Sequence, residues 1–219
     1  MATRALLGAL AVAYEQRAGV PVSIESVGGV DAAKRVQSGE AFDVVVLASD
    51  VIDKLVATGH VVQGSRVDLV HSGVAVAVRA GAAHPDIATE DAVKHAVLAA
   101  PTLGVSTGPS GVQLIKLFER WAIADRVMSR LVQVPPGVPV GALVARGEVA
   151  LGFQQLSELM HLDGIDLLGP LPAAIQIVTT FSAAVCATAN QPDAARALLD
   201  FMASPLTADA KRRQGMDPA

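Results

Sequence analysis

The sequence has few aromatic residues, one cysteine and little excess charge, and each shortage excludes a class of function. Aromatic residues make up 3% of the 219 residues, which argues against surfaces that stack on bases or sugars. The formal net charge of −4 argues against a nucleic-acid partner. The single cysteine, Cys186, excludes an internal disulfide and a cysteine-only metal site, and its apolar neighbours predict a buried side chain. We expect neither a bound metal nor a cofactor.

The sequence also lacks an apolar stretch long enough to cross a bilayer. Residues 6–13 are apolar and mimic the core of a signal peptide, but residues 14–17 are polar and no small-residue cleavage site follows. We interpret this stretch as an amphipathic helix. The chain as given is therefore expected in the cytoplasm, or in the periplasm if a leader has been removed.

Hydrophobic residues make up 52% of the chain and charged residues 17%, enough for a sizeable core. Alternating helical and extended patterns predict an α/β fold with mainly parallel sheets. Helices are predicted over residues 3–18, 31–38, 50–58, 89–99, 111–121, 138–146, 155–161, 192–203 and 206–214. Strands are predicted over residues 42–48, 66–79, 103–106, 131–134, 149–153, 165–169 and 175–186, with an extended segment at 20–25.

Two of the predicted strand regions, near residues 66–79 and 175–187, are too long for ordinary strands. We interpret them as paired crossovers between two lobes, with a hinge and a ligand cleft between the lobes. Lobe 1 is then discontinuous, residues 1–70 with 180–219, and lobe 2 is residues 71–179.

Four turns rich in glycine, serine, threonine or proline stand where helices are predicted to begin. A helix start exposes unpaired backbone N–H groups and the positive end of the helix dipole, so it binds anions without charged side chains. If the turns meet in one cleft, the protein holds a small anion. The turns are residues 1–3, 26–31, 107–111 and 136–139.

Five segments, in order along nearly the whole chain, resemble the type II periplasmic binding-protein superfamily, and above all the molybdate-binding subunit of ABC transporters. The resemblance implies two lobes that hold a dehydrated oxyanion with hydroxyl and backbone N–H groups, and an ABC transporter permease as partner if the chain is exported. The segments are AYEQRAGVPV, QSGEAFDVVVLASD, GPSGVQLIKLFERWAI, LVARGEVALGFQQLSE and ARALLDFMASPLTADAKRRQG.

Eleven residues are the candidate ligand-binding set. The resemblance implies that residues of the second, third, fourth and fifth ligand loops contact the ligand. Gln155 stands where molybdate binders have tyrosine. The other candidates come from the turns themselves and from the end of a strand. By resemblance the set contains Gly28, Gly29, Val30, Ser110, Gly111, Val138, Pro139 and Gln155, and by position it contains Thr3, Thr107 and Gln154. Ser110 is also a candidate helix N-cap.

Two classes of ligand are compatible with the sequence: an oxyanion such as molybdate or sulfate, and a small polycarboxylate. The polycarboxylate suits loops that begin with glycine better. A binding protein is favoured over an enzyme, with a cytosolic sensor as a further alternative. The segments SVGGVDAAKRV and LGFQQLSELMHL also resemble aconitate-isomerase-like members of the superfamily, which implies an isomerase of a small tricarboxylate. Such an enzyme needs a positioned base, for which His71, Glu158 and His161 are candidates, and Arg35 is a candidate partner for one carboxylate.

Overall fold

The structure is a computed structural model that describes residues 2–135 and 137–219. The chain divides into two compact units. Unit 1 comprises Met1–Ser72 and Thr179–Ala219, and unit 2 comprises Gly73–Val178. Within the described residues, no helix combines the length and apolar character needed to span a bilayer.

The described chain contains ten α-helices and eight β-strands, with short 3₁₀ turns at residues 128–130, 173–175 and 205–207. The helices are α1 Arg4–Ala18, α2 Gly29–Gln37, α3 Ser49–Ala57, α4 Glu90–Ala99, α5 Pro109–Arg120, α6 Ala124–Val127, α7 Val140–Ala145, α8 Leu156–Leu159, α9 Pro192–Ala203 and α10 Ala208–Arg213. The strands are β1 Val44–Ala48, β2 Val67–Arg79, β3 Leu103–Val105, β4 Leu131–Gln133, β5 Leu151–Gln155, β6 Ile165–Pro170, β7 Val178–Val185 and β8 Met216–Pro218.

Unit 1 is held together by two apolar clusters. One cluster joins α1 and α9 through residues such as Leu10 and Leu199. The other joins α2, α3 and β1 through residues such as Val36 and Leu47. Strand β1 pairs antiparallel with β7, and the first part of β2 pairs antiparallel with β8. Helix α1 ends as expected, because Gly19 adopts a left-handed φ of 68° that favours glycine.

Unit 2 has a mixed sheet. Strands β3, β4 and β5 are parallel, but the second part of β2 runs antiparallel to both β5 and β6. The prediction of mainly parallel sheets is therefore wrong. A strand–helix–strand sequence gives parallel pairing only where the helix carries the chain back to the end of the sheet at which the first strand began. Here β2 lies beside strands that run in the opposite direction.

Several predicted boundaries shift, and two shifts concern candidate site residues. Helix α5 begins at Pro109 with Gly108 as N-cap, so Ser110 lies inside the first turn and the N-cap interpretation of Ser110 is wrong. Strand β5 extends to Gln155, so the two glutamines belong to the strand instead of following it. Residues 66–79, which are too long for an ordinary strand, nearly all belong to the single strand β2, with a register shift against β6.

Candidate functional site

The candidate residues of unit 2 gather at one edge of its sheet. Strands β3, β4 and β5 are parallel neighbours, so their carboxyl ends lie at the same edge. Helices α5, α7 and α8 follow these strands in the chain and begin at that edge. In open α/β sheets, ligands bind outside the carboxyl ends of the strands, where helix N-termini meet.

The turn between β3 and α5 is built around two serines and a glycine. The Oγ atoms of Ser106 and Ser110 are 3.2 Å apart, and Ser110 is buried. A β-carbon on Gly111 would stand 1.8 Å from the carbonyl oxygen of Ser106. Glycine is therefore required at position 111 by packing, while Thr107 is exposed at the tip of the turn.

Gln154 joins three elements of this edge. Its Oε1 accepts a hydrogen bond from the backbone N–H of Gly141 at 3.2 Å, and its Nε2 donates to Oε2 of Glu158 at 2.8 Å. The side chain is 2% exposed, so its amide is fixed by β5, α7 and α8. Gln155 is buried beside it.

The carboxyl of Glu158 lies partly buried at this edge, within hydrogen-bond distance of Gln154. Burial raises the pKa of its carboxyl above the ordinary value, while the hydrogen bond from Gln154 acts in the opposite direction. A carboxylate with a raised pKa is a stronger base than one in water. The adjacent hydroxyl of Ser157 is buried and has no hydrogen-bond partner within residues 2–135 and 137–219.

The candidate residues predicted from the sequence did not include Ser106, Gly141 or Ser157. Ser106 stands four residues before Ser110 on the other side of a turn, and such a contact has no sequence signature. The contribution of Gly141 is a backbone N–H, which carries no residue-type signal. Ser157 could have been found only from its burial.

The loop before α7 contributes Val138, which is exposed, and Pro139, which is the N-cap of α7 with a φ of −70°. The predicted turn at residues 136–139 starts at Pro136, which lies outside the described residues. Helix α7 begins at Val140, two residues later than expected.

The remaining candidates lie in unit 1. Thr3 is buried directly before α1 and makes no side-chain capping bond. Met1, the first residue of the predicted turn, lies outside the described residues. Gly28 is the N-cap of α2, and Gly29 is exposed at its first position. A β-carbon on Gly29 would be an ordinary 3.6 Å from Leu47.

Val30 is 53% exposed beside Gly29, so the start of α2 offers a ligand backbone N–H groups and little else. The prediction that these residues and those of unit 2 share one cleft stays a prediction.

Two other candidates are engaged in local contacts. Nδ1 of His71 lies 3.0 Å from the hydroxyl of Thr180. Arg35 pairs with Glu25 at 2.7 Å and with Glu40, so a ligand carboxylate would compete with two protein carboxylates. His161 is exposed just after α8. No group of acidic, histidine or cysteine side chains that could hold a metal ion occurs in the described part of the chain.

Comparisons with known proteins agree on the fold. The family model for bacterial extracellular solute-binding proteins matches residues 1–217. A Pseudomonas sp protein named aconitate isomerase is 42% identical over 215 residues, which are 95% of this chain and 82% of that protein.

Two solved structures are similar in fold. The periplasmic molybdate-binding protein of Azotobacter vinelandii has a TM-score of 0.80 at 18% identity, with 98% of this chain and 94% of that chain covered. A periplasmic thiamin-binding protein has a TM-score of 0.77 at 17% identity, with coverages of 98% and 79%. The fold is thus the mixed α/β fold of periplasmic binding proteins.

Proposed function

The chain belongs to the family of bacterial extracellular solute-binding proteins, and we propose that it binds a small tricarboxylate and isomerises it, with aconitate as the substrate. The observation that carries the proposal is the 42% identity to a protein named aconitate isomerase over 95% of this chain. A binding function without chemistry, favoured from the sequence, becomes the second candidate.

The edge of unit 2 offers what a carboxylate ligand needs. The first turn of α5 presents unpaired backbone N–H groups after Gly108, and Ser106 and Ser110 add hydroxyls. Charge-assisted hydrogen bonds from N–H and O–H groups to a carboxylate are about twice as strong as neutral ones. These donors select for anions without a cationic side chain, which suits a chain with a net charge of −4.

Isomerisation requires only the movement of one proton. A base takes a proton from the methylene carbon of aconitate, and the electron pair of that C–H bond forms the new double bond. The electrons of the old double bond take the proton back at the former vinylic carbon. Atoms and electrons balance without an oxidant or a second substrate.

Glu158 is the group we assign to this proton transfer. Its carboxylate is held by Gln154 at 2.8 Å and has a pKa raised by burial. A base of this kind can take a carbon-bound proton and return it to the neighbouring position. Gln154, which also holds Gly141, is a positioning residue that keeps the carboxylate in one orientation.

The test is to incubate the protein with cis-aconitate and follow the trans isomer by NMR. We expect turnover by the wild type and a loss of at least about 100-fold in kcat for Glu158→Gln, with aconitate binding retained. Glu148→Gln is the matched control, because Glu148 lies in the same unit and pairs with Arg146 at the surface. Tight aconitate binding by the wild type without any turnover would refute the enzyme and leave the binding function.

The second candidate is a solute-binding protein that holds its ligand unchanged. The family match and the similarity to the Azotobacter vinelandii molybdate-binding fold favour it. Its ligand would be a small oxyanion or polycarboxylate, and an ABC transporter permease would be its partner if the chain is exported. A thermal-shift series with molybdate, tungstate, sulfate, citrate and both aconitate isomers identifies which of these anions binds, since ligand binding raises Tm by mass action. The NMR turnover assay then separates the two candidates.

A further inference from the structure

One buried hydroxyl next to the proposed base Glu158 is not used by the proposed function. The Oγ of Ser157 is buried, and the described residues offer it no hydrogen-bond partner. Among the buried side-chain nitrogen and oxygen atoms of residues 2–135 and 137–219, it alone is in this condition. Buried polar groups in proteins are nearly always paired, and an unpaired one weakens the fold. The Ser157 hydroxyl therefore requires a partner that the folded chain does not supply.

Other serines of the chain show how such a hydroxyl is normally satisfied. Three of them donate to the backbone carbonyl three residues earlier, at a helix end or in a turn, which is a common local pattern for serine. The three pairs are Ser38 with Arg35 at 2.8 Å, Ser65 with Val62 at 2.6 Å and Ser204 with Phe201 at 2.7 Å. The local pattern thus needs a carbonyl that a preceding turn or helix directs toward the hydroxyl.

The position of Ser157 removes this local partner. Helix α8 begins only one residue before it. The carbonyls three and four residues earlier are those of Gln154 and Phe153, which still lie in β5. Strand carbonyls are directed toward neighbouring strands, and β5 has β2 on one side and β3 on the other. The chain therefore enters α8 from a paired strand, and no turn carbonyl precedes the serine.

The polar side chains next to Ser157 are engaged with each other. Oε1 of Gln154 accepts from the backbone N–H of Gly141, and Nε2 of Gln154 donates to Oε2 of Glu158. Helix α8 follows the carboxyl end of β5, the edge at which ligands bind in α/β sheets. A hydroxyl that stays unpaired at this edge is suited to donate to a bound anion.

Unit 2 then has two separate groups of anion donors at one sheet edge. The first turn of α5, with Ser106 and Ser110, follows β3, and Ser157 follows β5, the parallel neighbour of β3. Neighbouring strands are about 4.7–4.9 Å apart. A tetrahedral oxyanion presents its oxygens around one centre, whereas a polycarboxylate presents separate groups of acceptors. Donors that follow two different strands suit the polycarboxylate better.

We propose that Ser157 binds one carboxylate of the substrate while the α5 turn binds another, so that the site selects polycarboxylates over single oxyanions. This inference rests on the proposed function, because it takes aconitate as the ligand. The hydroxyl donates to a charged acceptor, and such a hydrogen bond is about twice as strong as a neutral one. Ser157 and Glu158 are consecutive in α8, so a carboxylate held by Ser157 keeps the substrate beside the base.

The experiment measures the Kd of cis-aconitate by isothermal titration calorimetry for the wild type, Ser157→Ala and Ser157→Cys. We expect binding to be about tenfold weaker in Ser157→Ala, the loss of one charge-assisted hydrogen bond. Ser157→Cys keeps a side chain of similar shape but donates weakly, so its binding should also weaken. KM should rise with Kd while kcat changes less than about threefold, since the hydroxyl holds substrate and transition state alike.

The stability of the ligand-free protein separates a ligand contact from a structural role. An unpaired buried hydroxyl contributes no favourable hydrogen bond, so the Tm of Ser157→Ala should equal or exceed that of the wild type. Ser204→Ala is the matched control, because the Ser204 hydroxyl has its carbonyl partner at 2.7 Å. This control should lower Tm and leave Kd unchanged. A Tm of Ser157→Ala that falls as far as that of Ser204→Ala would reveal a structural partner, such as a buried water, and would overturn the inference.

The remaining outcomes distinguish this inference from the proposed function. An unchanged Kd in Ser157→Ala, or full affinity in Ser157→Cys, would overturn the inference even if the wild type isomerises aconitate. If the wild type binds cis-aconitate without forming the trans isomer, the enzyme is refuted, and a tenfold weaker Ser157→Ala would still support the carboxylate contact. A wild type whose Tm rises with molybdate or sulfate but with neither aconitate isomer would overturn both.

Discussion

The carbonyl oxygen of Ser106 lies 1.8 Å from the point where a β-carbon on Gly111 would stand. The backbone of the β3–α5 turn therefore passes directly over the first turn of the helix. This contact, together with the 3.2 Å approach of the Ser106 and Ser110 hydroxyls, makes the turn compact enough to present its N–H groups in one direction.

Gly111→Ala should destabilise the protein by roughly 2–3 kcal/mol, because the added methyl group overlaps a backbone atom that cannot move without displacing β3. Urea unfolding measures the change. Gly108→Ala is the matched control in the same turn, since its β-carbon would meet only the Ser106 hydroxyl at 3.6 Å. Equal stability of the two variants would contradict the overlap.

Glu158→Gln should raise Tm at neutral pH by about 2–4 °C, the shift that about 1 kcal/mol produces in a chain of this size. Burial raises the pKa of Glu158 in the folded state. The protonated carboxyl therefore contributes its full stabilisation at pH values below the pKa of Glu158 in the unfolded chain. That stabilisation is lost as the pH rises through the pKa of Glu158 in the folded state. The Tm difference between variant and wild type should therefore shrink as the pH is lowered toward 4. A constant difference across the pH range would refute this account.

Glu90→Ala should change the emission of Trp121, the single tryptophan of the chain, because the indole N–H donates to Oε1 of Glu90 at 2.6 Å. This hydrogen bond, followed by the contact with Arg120, lowers the pKa of Glu90 below the ordinary value of a glutamate. In the wild type, the emission should then titrate with a midpoint below the ordinary pKa of a glutamate. Glu119→Ala, on the exposed side of α5, should leave both the spectrum and the midpoint unchanged.

Ser182→Ala should lower the free energy of unfolding by about 1 kcal/mol. The buried Ser182 hydroxyl donates to Oδ1 of Asp68 at 2.6 Å, and this bond is the main reason why the pKa of Asp68 is lowered. A carboxyl whose pKa is lowered in the folded state stabilises the fold at pH values above its pKa in the unfolded chain. This stabilisation is lost as the pH falls through the pKa of the folded state. Urea unfolding of both proteins at pH 7 and in acid should show the difference narrowing in acid. A difference that widens in acid would contradict the assignment.

Local signals predicted most of the helices, although α6 was missed and α8 is shorter than expected. Pro192 at the first position of α9 and Gly19 after α1 mark helix ends by backbone chemistry alone. Predicted helix boundaries were wrong where the first residue of a helix depended on the residues that precede it. Helix α5 begins two residues before the predicted Gly111 because Gly108 takes the N-cap position.

The hydrogen-bond partners of polar side chains could not be predicted from the sequence. Gln154 was selected as a residue that contacts ligand, but its amide bridges Gly141 and Glu158. These residues lie on three different elements. Only packing of β5 against α7 and α8 could show these two hydrogen bonds, because no sequence spacing encodes them. The prediction that Gln154 also contacts a ligand stays a prediction.

By itself, the sequence determined the alternation of helices and strands and the ordered motifs that identify the family, since both depend on residues close together in the chain. The tertiary structure decided strand direction and the burial that raises the pKa of Glu158. Those properties arise from surfaces that are distant in sequence, and only the folded chain brings such surfaces into contact.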